Sequence, residues 1–518
     1  MTVLSEAPAR GTDAPAPPRR RPHTVAAWLA AVAAGVACFA YARSDLWLDE
    51  ALTVGIARLP LGELRGALER DGAPPLYYAL LHGWTAVFGD GDLAARSLSG
   101  VFAAGALVAV WYAARRVGGA GLAWTAVVVM ATNPYLARYA TEARMYSLQV
   151  LLVTLGAVAV PRALERPAAG RLAVVGALAA ALLYTQYWGF AVVGVVAAAL
   201  VVVAWRDARV RPAALRALAA VAAGSATFVA WLPTFLSQRA HTGTPWGEPV
   251  LPGMPIGETF LGFSGGPEQE GWLLLLLAVP LVVLGVFGTA IDRYRVELDL
   301  RGRAEVRPHA LIGGAVLVAG TGLAYLGGQA FQPRYAAVVL PFFVLLVARG
   351  VTTVADDRVR GALLTAVVLL GLVGGFRNMF EPRTQAGEVA AVLSAEAAPG
   401  DLVVYCPDQL GPAVHRLART PARQVTFPDL ADPAFVDWVD YEERVAAADP
   451  AAFTRAALER AGPGTLWFVT GPGYRTHTGI CEAVSDGFAA QRERIPRVLP
   501  DESVFEKPGL QQFPPASP

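Results

Sequence analysis

Long apolar stretches recur along the chain and are broken by short polar loops. They cover residues 24–42, 98–113, 121–133, 145–160, 172–184, 188–205, 215–232, 272–290, 310–326, 335–347 and 361–376, with almost no internal charge. A helix needs about 20 apolar residues to cross a bilayer, so the pattern predicts about eleven transmembrane helices, the shorter ones extending into their loops. The split at "YTQYWG" (184–189) keeps the later Arg-rich loops on one side.

Two further segments have a different pattern. "EALTVGIARLPLGELRGALER" (50–70) places apolar residues at helical spacing with charges between them, and "PPLYYALLHGWTAVFG" (74–89) is short and aromatic. Both read as interfacial helices on the outer surface. From about residue 381 the pattern changes again. "GDLVVYC" (400–406) and "TLWFVT" (465–470) read as buried strands, "TQAGEVAAVLSAEA" (384–397) and "DPAAFTRAALERAG" (449–462) as helices. Residues 381–518 are thus expected to form a soluble α/β domain behind a transmembrane domain, 24–380, whose first outer loop is 43–97. Residues 1–23 are rich in Pro, Ala and Arg and read as a disordered cytoplasmic tail. A cleaved signal over 1–42 is the alternative, but 24–42 exceeds the usual h-region of about 7–15 residues.

Composition supports the membrane reading: 55% of the 518 residues are hydrophobic and 16% charged, with a mean hydropathy of +0.43, where soluble domains are about 25% charged. The net charge of +1 says little; its distribution says more. Arg19–Arg21, Arg115 and Arg116, Arg162 and Arg166, Arg206 to Arg211, Arg293 to Arg307, and Arg349 to Arg360 fall in alternate loops. The positive-inside rule puts these loops in the cytoplasm. The intervening loops and the C-terminal domain are then outside, where Cys406 and Cys481 meet an oxidising space; spacing leaves open whether they pair.

This topology gathers three polar clusters on the outer face. Asp49, Glu50 and Asp71 lie in the first long loop. "NPYLARYATEARMYSL" (133–148) carries Glu142, Arg144 and Tyr146, and "GQAFQPRY" (328–335) carries Arg334 and Tyr335. Polar loops at helix ends are common, but three on one face suggest a site. A carboxylate within reach of a hydroxyl can take its proton, and arginines can hold a phosphate bidentately.

"WLDE", "DGAPPLYYALLHGWTAVFG" followed by "ARSLSG", "TEARMYSL" and, more thinly, "QPRYAAVVLPFF" (332–343) resemble the GT-C glycosyltransferases. The resemblance is to the protein O-mannosyltransferase and aminoarabinose-transferase group, glycosyltransferase family 39. It is dense over residues 44–160 and does not explain the C-terminal domain. The segment Asp71-Gly72-Ala73-Pro74-Pro75 has Ala73 where the family often has His or Asn, so a polar substrate contact there is absent. The resemblance implies transfer of a sugar, mannose or arabinose first, from a polyprenyl-phosphate donor to a hydroxyl on the outer face of the membrane, with inversion; the Ala-, Gly- and Pro-rich composition, with Lys507 the only lysine, makes a bacterial plasma membrane the expected location. The acceptor is a lipid, a glycan or a protein, and no nucleic acid is involved. Asp49 is then the base, with Glu50 orienting it or binding acceptor. Asp71, Glu142, Arg144, Tyr146, Arg334 and Tyr335 are the substrate-binding candidates. No cofactor is expected; a divalent metal between Asp49 and Glu142 is possible but not demanded, and the sequence shows no His cluster to hold one.

Two other readings compete. A lipid or glycan transporter or flippase would carry ionisable groups near mid-membrane and often an inverted repeat, and the sequence shows neither. A non-catalytic GT-C-like envelope-assembly protein would differ little in sequence.

Overall fold

The computed structural model describes residues 22–515 except 250 and 252. The expected N-terminal tail falls almost entirely outside them. After α1 (Pro22–Ala37), the first loop folds into α2 (Leu48–Ala57), α3 (Leu61–Asp71) and α4 (Leu76–Phe88). Then come α5 (Asp92–Ala131), the short α6 (Pro134–Ala140), α7 (Tyr146–Glu165), α8 (Ala169–Thr185), α9 (Gly189–Arg206) and α10 (Arg211–Ala226). Two helices that the hydropathy pattern does not announce, α11 (Leu232–His241) and α12 (Met254–Phe263), occupy the next loop. The bundle ends with α13 (Gln269–Phe287), α14 (Arg307–Leu326), a 3-10 turn over Pro333–Val339, α15 (Leu340–Thr353) and α16 (Asp357–Phe380).

Eight of these helices are long and apolar enough to cross a membrane, and two more, within α1 and α8, are apolar but shorter. α5 supplies two of the expected spans, because it bends at Gly118 and Gly119, where Gly119 has φ +73°. Only glycine adopts that conformation without a steric penalty. The observed helices therefore match the eleven apolar segments one for one. α8 and α10 pack closely through Gly176 and Gly224, where a Cβ on Gly224 would sit 2.0 Å from the Gly176 carbonyl oxygen. Such small-residue contacts suit helix packing without a hydrophobic driving force. α15 is buried nearly all round, in keeping with its apolar run from Leu340 to Ala348.

Ion pairs join several of the arginine-rich segments two by two. Arg116 pairs with Glu165, Arg349 and Arg303 share Glu305 at 2.7 and 2.9 Å, and Arg293 pairs with Asp356. These loops follow α7 and α15 at the ends remote from Tyr146 and Arg334. A small exposed hairpin, β1 (Gly288–Ala290) with β2 (Val296–Leu298), lies among them; strands this short leave no readable alternation.

The C-terminal part consists of α17 (Ala386–Glu396), β3 (Leu402–Cys406), α18 (Gly411–Leu417), β4 (Arg423–Thr426), α19 (Tyr441–Ala447), α20 (Pro450–Ala461), β5 (Leu466–Thr470), α21 (Ile480–Ala489), β6 (Ile495–Val498) and β7 (Gly509–Phe513). The sheet order is β4-β3-β5-β7-β6. β3 is parallel to β4 and β5, and β7 is antiparallel to β5 and β6. All five residues of β3 are buried, which explains its run of apolar residues without alternation. Cys406, ending β3, is disulfide-bonded to Cys481 in α21, with Cα atoms 5.5 Å apart. One face of the sheet and α17 share a continuous core with the helical bundle, and the other face packs on Trp47 and Leu48. The C-terminal part is therefore seated directly on the loop that carries the first acidic cluster.

Candidate active site

In "WLDE", consecutive residues of α2 point about 100° apart around the helix. Asp49 and Glu50 consequently face different surroundings. Glu50 is fully buried. Arg96 grips it with Nε 2.7 Å from Oε1 and Nη2 2.6 Å from Oε2. The Ala143 N–H donates to Oε1 at 2.9 Å, and Arg383 Nη1 lies 3.6 Å from Oε2. Burial pushes the Glu50 carboxyl up, but Arg96, Arg383 and the Ala143 amide outweigh it and hold it below the usual carboxylate range. The remaining Arg96 N–H groups reach the carbonyls of Ser44 at 2.6 Å and Asp45 at 3.1 Å. This one buried pair ties the 44–50 segment, α5 and the 141–144 loop together.

Asp49 faces the cleft instead, with its side chain 18% exposed. Its Oδ2 lies 3.3 Å from Arg334 Nη1 and 3.9 Å from Arg144 Nη2, and makes no hydrogen bond among the described residues. The Nε atoms of both arginines are likewise buried without a partner. Arg144 is fixed from behind: its Nη1 donates to Thr53 Oγ1 at 2.7 Å and lies 3.4 Å from the Tyr78 hydroxyl, which donates to Asp71 Oδ2 at 2.7 Å. Burial pushes the Asp71 carboxyl up and Asp49 adds to this, against Arg144 and Tyr78. Arg334 is held between the rings of Trp47 and Trp246, each 5.6 Å from its guanidinium carbon, with Tyr335 at 5.8 Å. Cation–π contacts of this kind orient a guanidinium without using its N–H groups.

Asp49, Arg144, Arg334 and Tyr335 thus converge, and Asp71 joins through Tyr78. Glu142 is displaced from this group. It is buried, with Oε2 3.3 Å from Arg138 Nη2 and Oε1 without a partner among the described residues. Burial raises its carboxyl, and nearby Glu50 adds to this, against Arg138, Arg383 and Arg334. Tyr146 is buried in an aromatic row, 4.9 Å from Tyr139, which lies 4.5 Å from Tyr135. Tyr135 donates to the Pro333 carbonyl at 3.0 Å and so steadies the turn bearing Arg334.

The sequence reading overlooks Trp47, Tyr78, Arg96, Trp246 and Arg383. Arg96 stands within "ARSLSG" and Tyr78 within "PPLYYALL", so both are open to the motif comparison; Trp246 and Arg383 carry no local signal. Among the described residues no three His, Cys, Asp or Glu side chains gather as metal ligands. The Asp49 carboxylate faces guanidinium groups rather than a second carboxylate, so this donor set does not suit a divalent cation.

No protein-family model matches the chain, and neither does any curated protein. Solved structures do. ArnT from Cupriavidus metallidurans in its apo state is 14% identical, aligns over 95% of this chain and 98% of its own, and superposes with a TM-score of 0.56. The same protein bound to undecaprenyl phosphate gives 14% identity, the same coverage and a TM-score of 0.55. Shared over nearly the whole length of both chains, this architecture is the GT-C fold of polytopic membrane glycosyltransferases.

Proposed function

We propose that the chain transfers a sugar from a polyprenyl-phosphate donor to a hydroxyl acceptor by a single inverting displacement. The observation that carries this reading is the cleft itself. One part-exposed carboxylate, Asp49, stands 3.3 and 3.9 Å from two arginines whose N–H capacity is partly unspent. Both guanidinium groups face the cleft beside Asp49, and neither Nε atom has a partner among the described residues. That suits a donor phosphodiester, and suits still better the phosphate that gains charge as the sugar leaves.

In this mechanism Arg144 and Arg334 hold the phosphate oxygens. As phosphate takes up their donors, Asp49 is released to accept the acceptor's hydroxyl proton. The acceptor oxygen bonds to the anomeric carbon on the face opposite the phosphate, and the carbon–phosphate-oxygen bond breaks with its electron pair leaving on polyprenyl phosphate. Glu50 touches neither substrate; it sets the pose of α2 through Arg96 and Ala143. The structural neighbour's binding of undecaprenyl phosphate supports that lipid class here. Mannose or arabinose is the proposed sugar, and a lipid, glycan or protein the acceptor.

The reading is tested with purified protein and polyprenyl-phosphate mannose or arabinose: release of polyprenyl phosphate, dependent on added envelope acceptor, is expected. Arg334→Lys and Arg144→Lys keep the charge but lose the planar fork. Each is expected to weaken donor use about tenfold at limiting donor, with the alanine variants worse. Parental turnover by all four would reduce both arginines to loop charges.

We further propose that the cleft and the C-terminal part face outward across a bacterial plasma membrane. Glu443, on α19, and Arg301, between α13 and α14, are exposed. Glu443→Cys is expected to react with an impermeant thiol reagent in cells whose outer barrier is open, and Arg301→Cys only after lysis. The reverse pattern inverts the topology.

A further inference from the structure

α2 begins without a cap of its own. Trp47 occupies the N-cap position and its side chain caps nothing, whereas the first N–H groups of a helix need an acceptor. The acceptor comes from the far end of the chain: Glu506 Oε1 accepts the Leu48 N–H at 3.0 Å. Glu506 is 3% exposed, and its other oxygen is hydrogen-bonded to the Thr384 hydroxyl. The two segments are locked by a parallel bridge, with Glu506 N–H donating to the Arg383 carbonyl and Gln385 N–H to the Glu506 carbonyl, each at 3.0 Å. Phe505 packs edge-on against Trp47 at 5.3 Å, the residue whose ring orients Arg334. The same bridge carries Arg383, whose Nη1 donates to the Thr141 carbonyl at 2.7 Å in the loop leading to Arg144.

We infer that Glu506 is a positioning residue, through which the C-terminal part fixes the start of α2 and hence the aim of Asp49. The inference rests on the reaction proposed above for Asp49. Leu48 is the residue next to Asp49, so a shift of its amide moves the carboxylate relative to both arginines. Burial, helped by Asp49 and Glu50, pushes the Glu506 carboxyl up to about 8. A neutral amide can therefore replace it, accepting from Leu48 and donating to Thr384.

The test compares Glu506→Gln, Glu506→Ala and Thr384→Val in the full-length protein. Two readouts are used: amide hydrogen exchange over residues 47–53, and turnover of polyprenyl-phosphate mannose. Loss of the cap in Glu506→Ala is expected to speed exchange at the start of α2 about fivefold. It is also expected to lower kcat about tenfold at unchanged donor KM, while Glu506→Gln keeps at least half of parental turnover and protection. Thr384→Val, near-isosteric and so available even where Glu506→Ala does not insert, is expected to move both readouts the same way by about threefold. Unchanged exchange in Glu506→Ala and Thr384→Val overturns the inference. So does equal loss in the Gln and Ala variants, or loss confined to KM. A parent that binds but never turns over the donor overturns the proposed reaction instead, and the exchange data still decide whether Glu506 holds α2.

Discussion

Asp49→Asn is expected to insert and fold like the parent, to bind polyprenyl phosphate at least as tightly, and to lose turnover by about 10²–10⁴. Asn is nearly isosteric and cannot take up the acceptor proton. Folding should not suffer, because Asp49 sits at a part-exposed cleft and makes no hydrogen bond through Oδ2 among the described residues. Lipid binding should hold or improve, because removing the carboxylate leaves Arg144 and Arg334 to the phosphate alone. The opposite signs of the two effects separate a base from a structural counter-ion, whose loss would scatter the arginines and weaken binding. Asp45→Asn is the control: Asp45 contributes its carbonyl to Arg96, which Asn retains, and should stay active. Turnover above about a tenth of the parental rate in Asp49→Asn would pass the role of base to another group, Glu142 first.

Glu50→Ala is expected to destabilise the protein by about 3–5 kcal/mol, the range for removing one partner of a buried ion pair. Arg96 and Arg383, 4% and 2% exposed, would then lie near each other with no carboxylate between them, and the Ala143 amide would lose its acceptor. Thermal unfolding in detergent checks this. Arg96→Ala should cost a similar amount, and the double variant less than the sum, because the two residues act as one unit. Glu50→Gln, which can still accept from Ala143, should fall between Glu50→Ala and the parent. Parental stability in Glu50→Ala together with abolished turnover would instead make Glu50 part of the chemistry.

How much of this was legible in the sequence follows the range of the forces involved. Hydropathy is a local sum, since each span must satisfy the bilayer by itself. The eleven apolar segments therefore appear as helices, including the two short ones and the pair joined at Gly118–Gly119. The buried strands of the C-terminal part were readable for the same reason: "LVVYC" and "LWFVT" lie centrally in a covered sheet. The edge strands β4 and β6, half-exposed and polar, were not. Neither were α11 and α12, which are short and lie in a loop where packing on neighbours, not periodicity, makes them helical.

The motifs brought Asp49, Arg144 and Arg334 into consideration, but could not say how Asp49 and Glu50 divide their tasks. Two acids adjacent in sequence look alike; on a helix they point in different directions, and only the position of Arg96 decides that Glu50 is enclosed. The pairing of Cys406 with Cys481, the rings of Trp47 and Trp246 about Arg334, and the reach of Glu506 to Leu48 span 75, 199 and 458 positions respectively. By itself the sequence determined what each segment must do to be stable in a bilayer or a sheet, because that depends on neighbours within a few residues. The tertiary structure alone decided which charges face one another, because Coulomb and hydrogen-bond energies depend on distances of a few ångströms that chain separation does not encode.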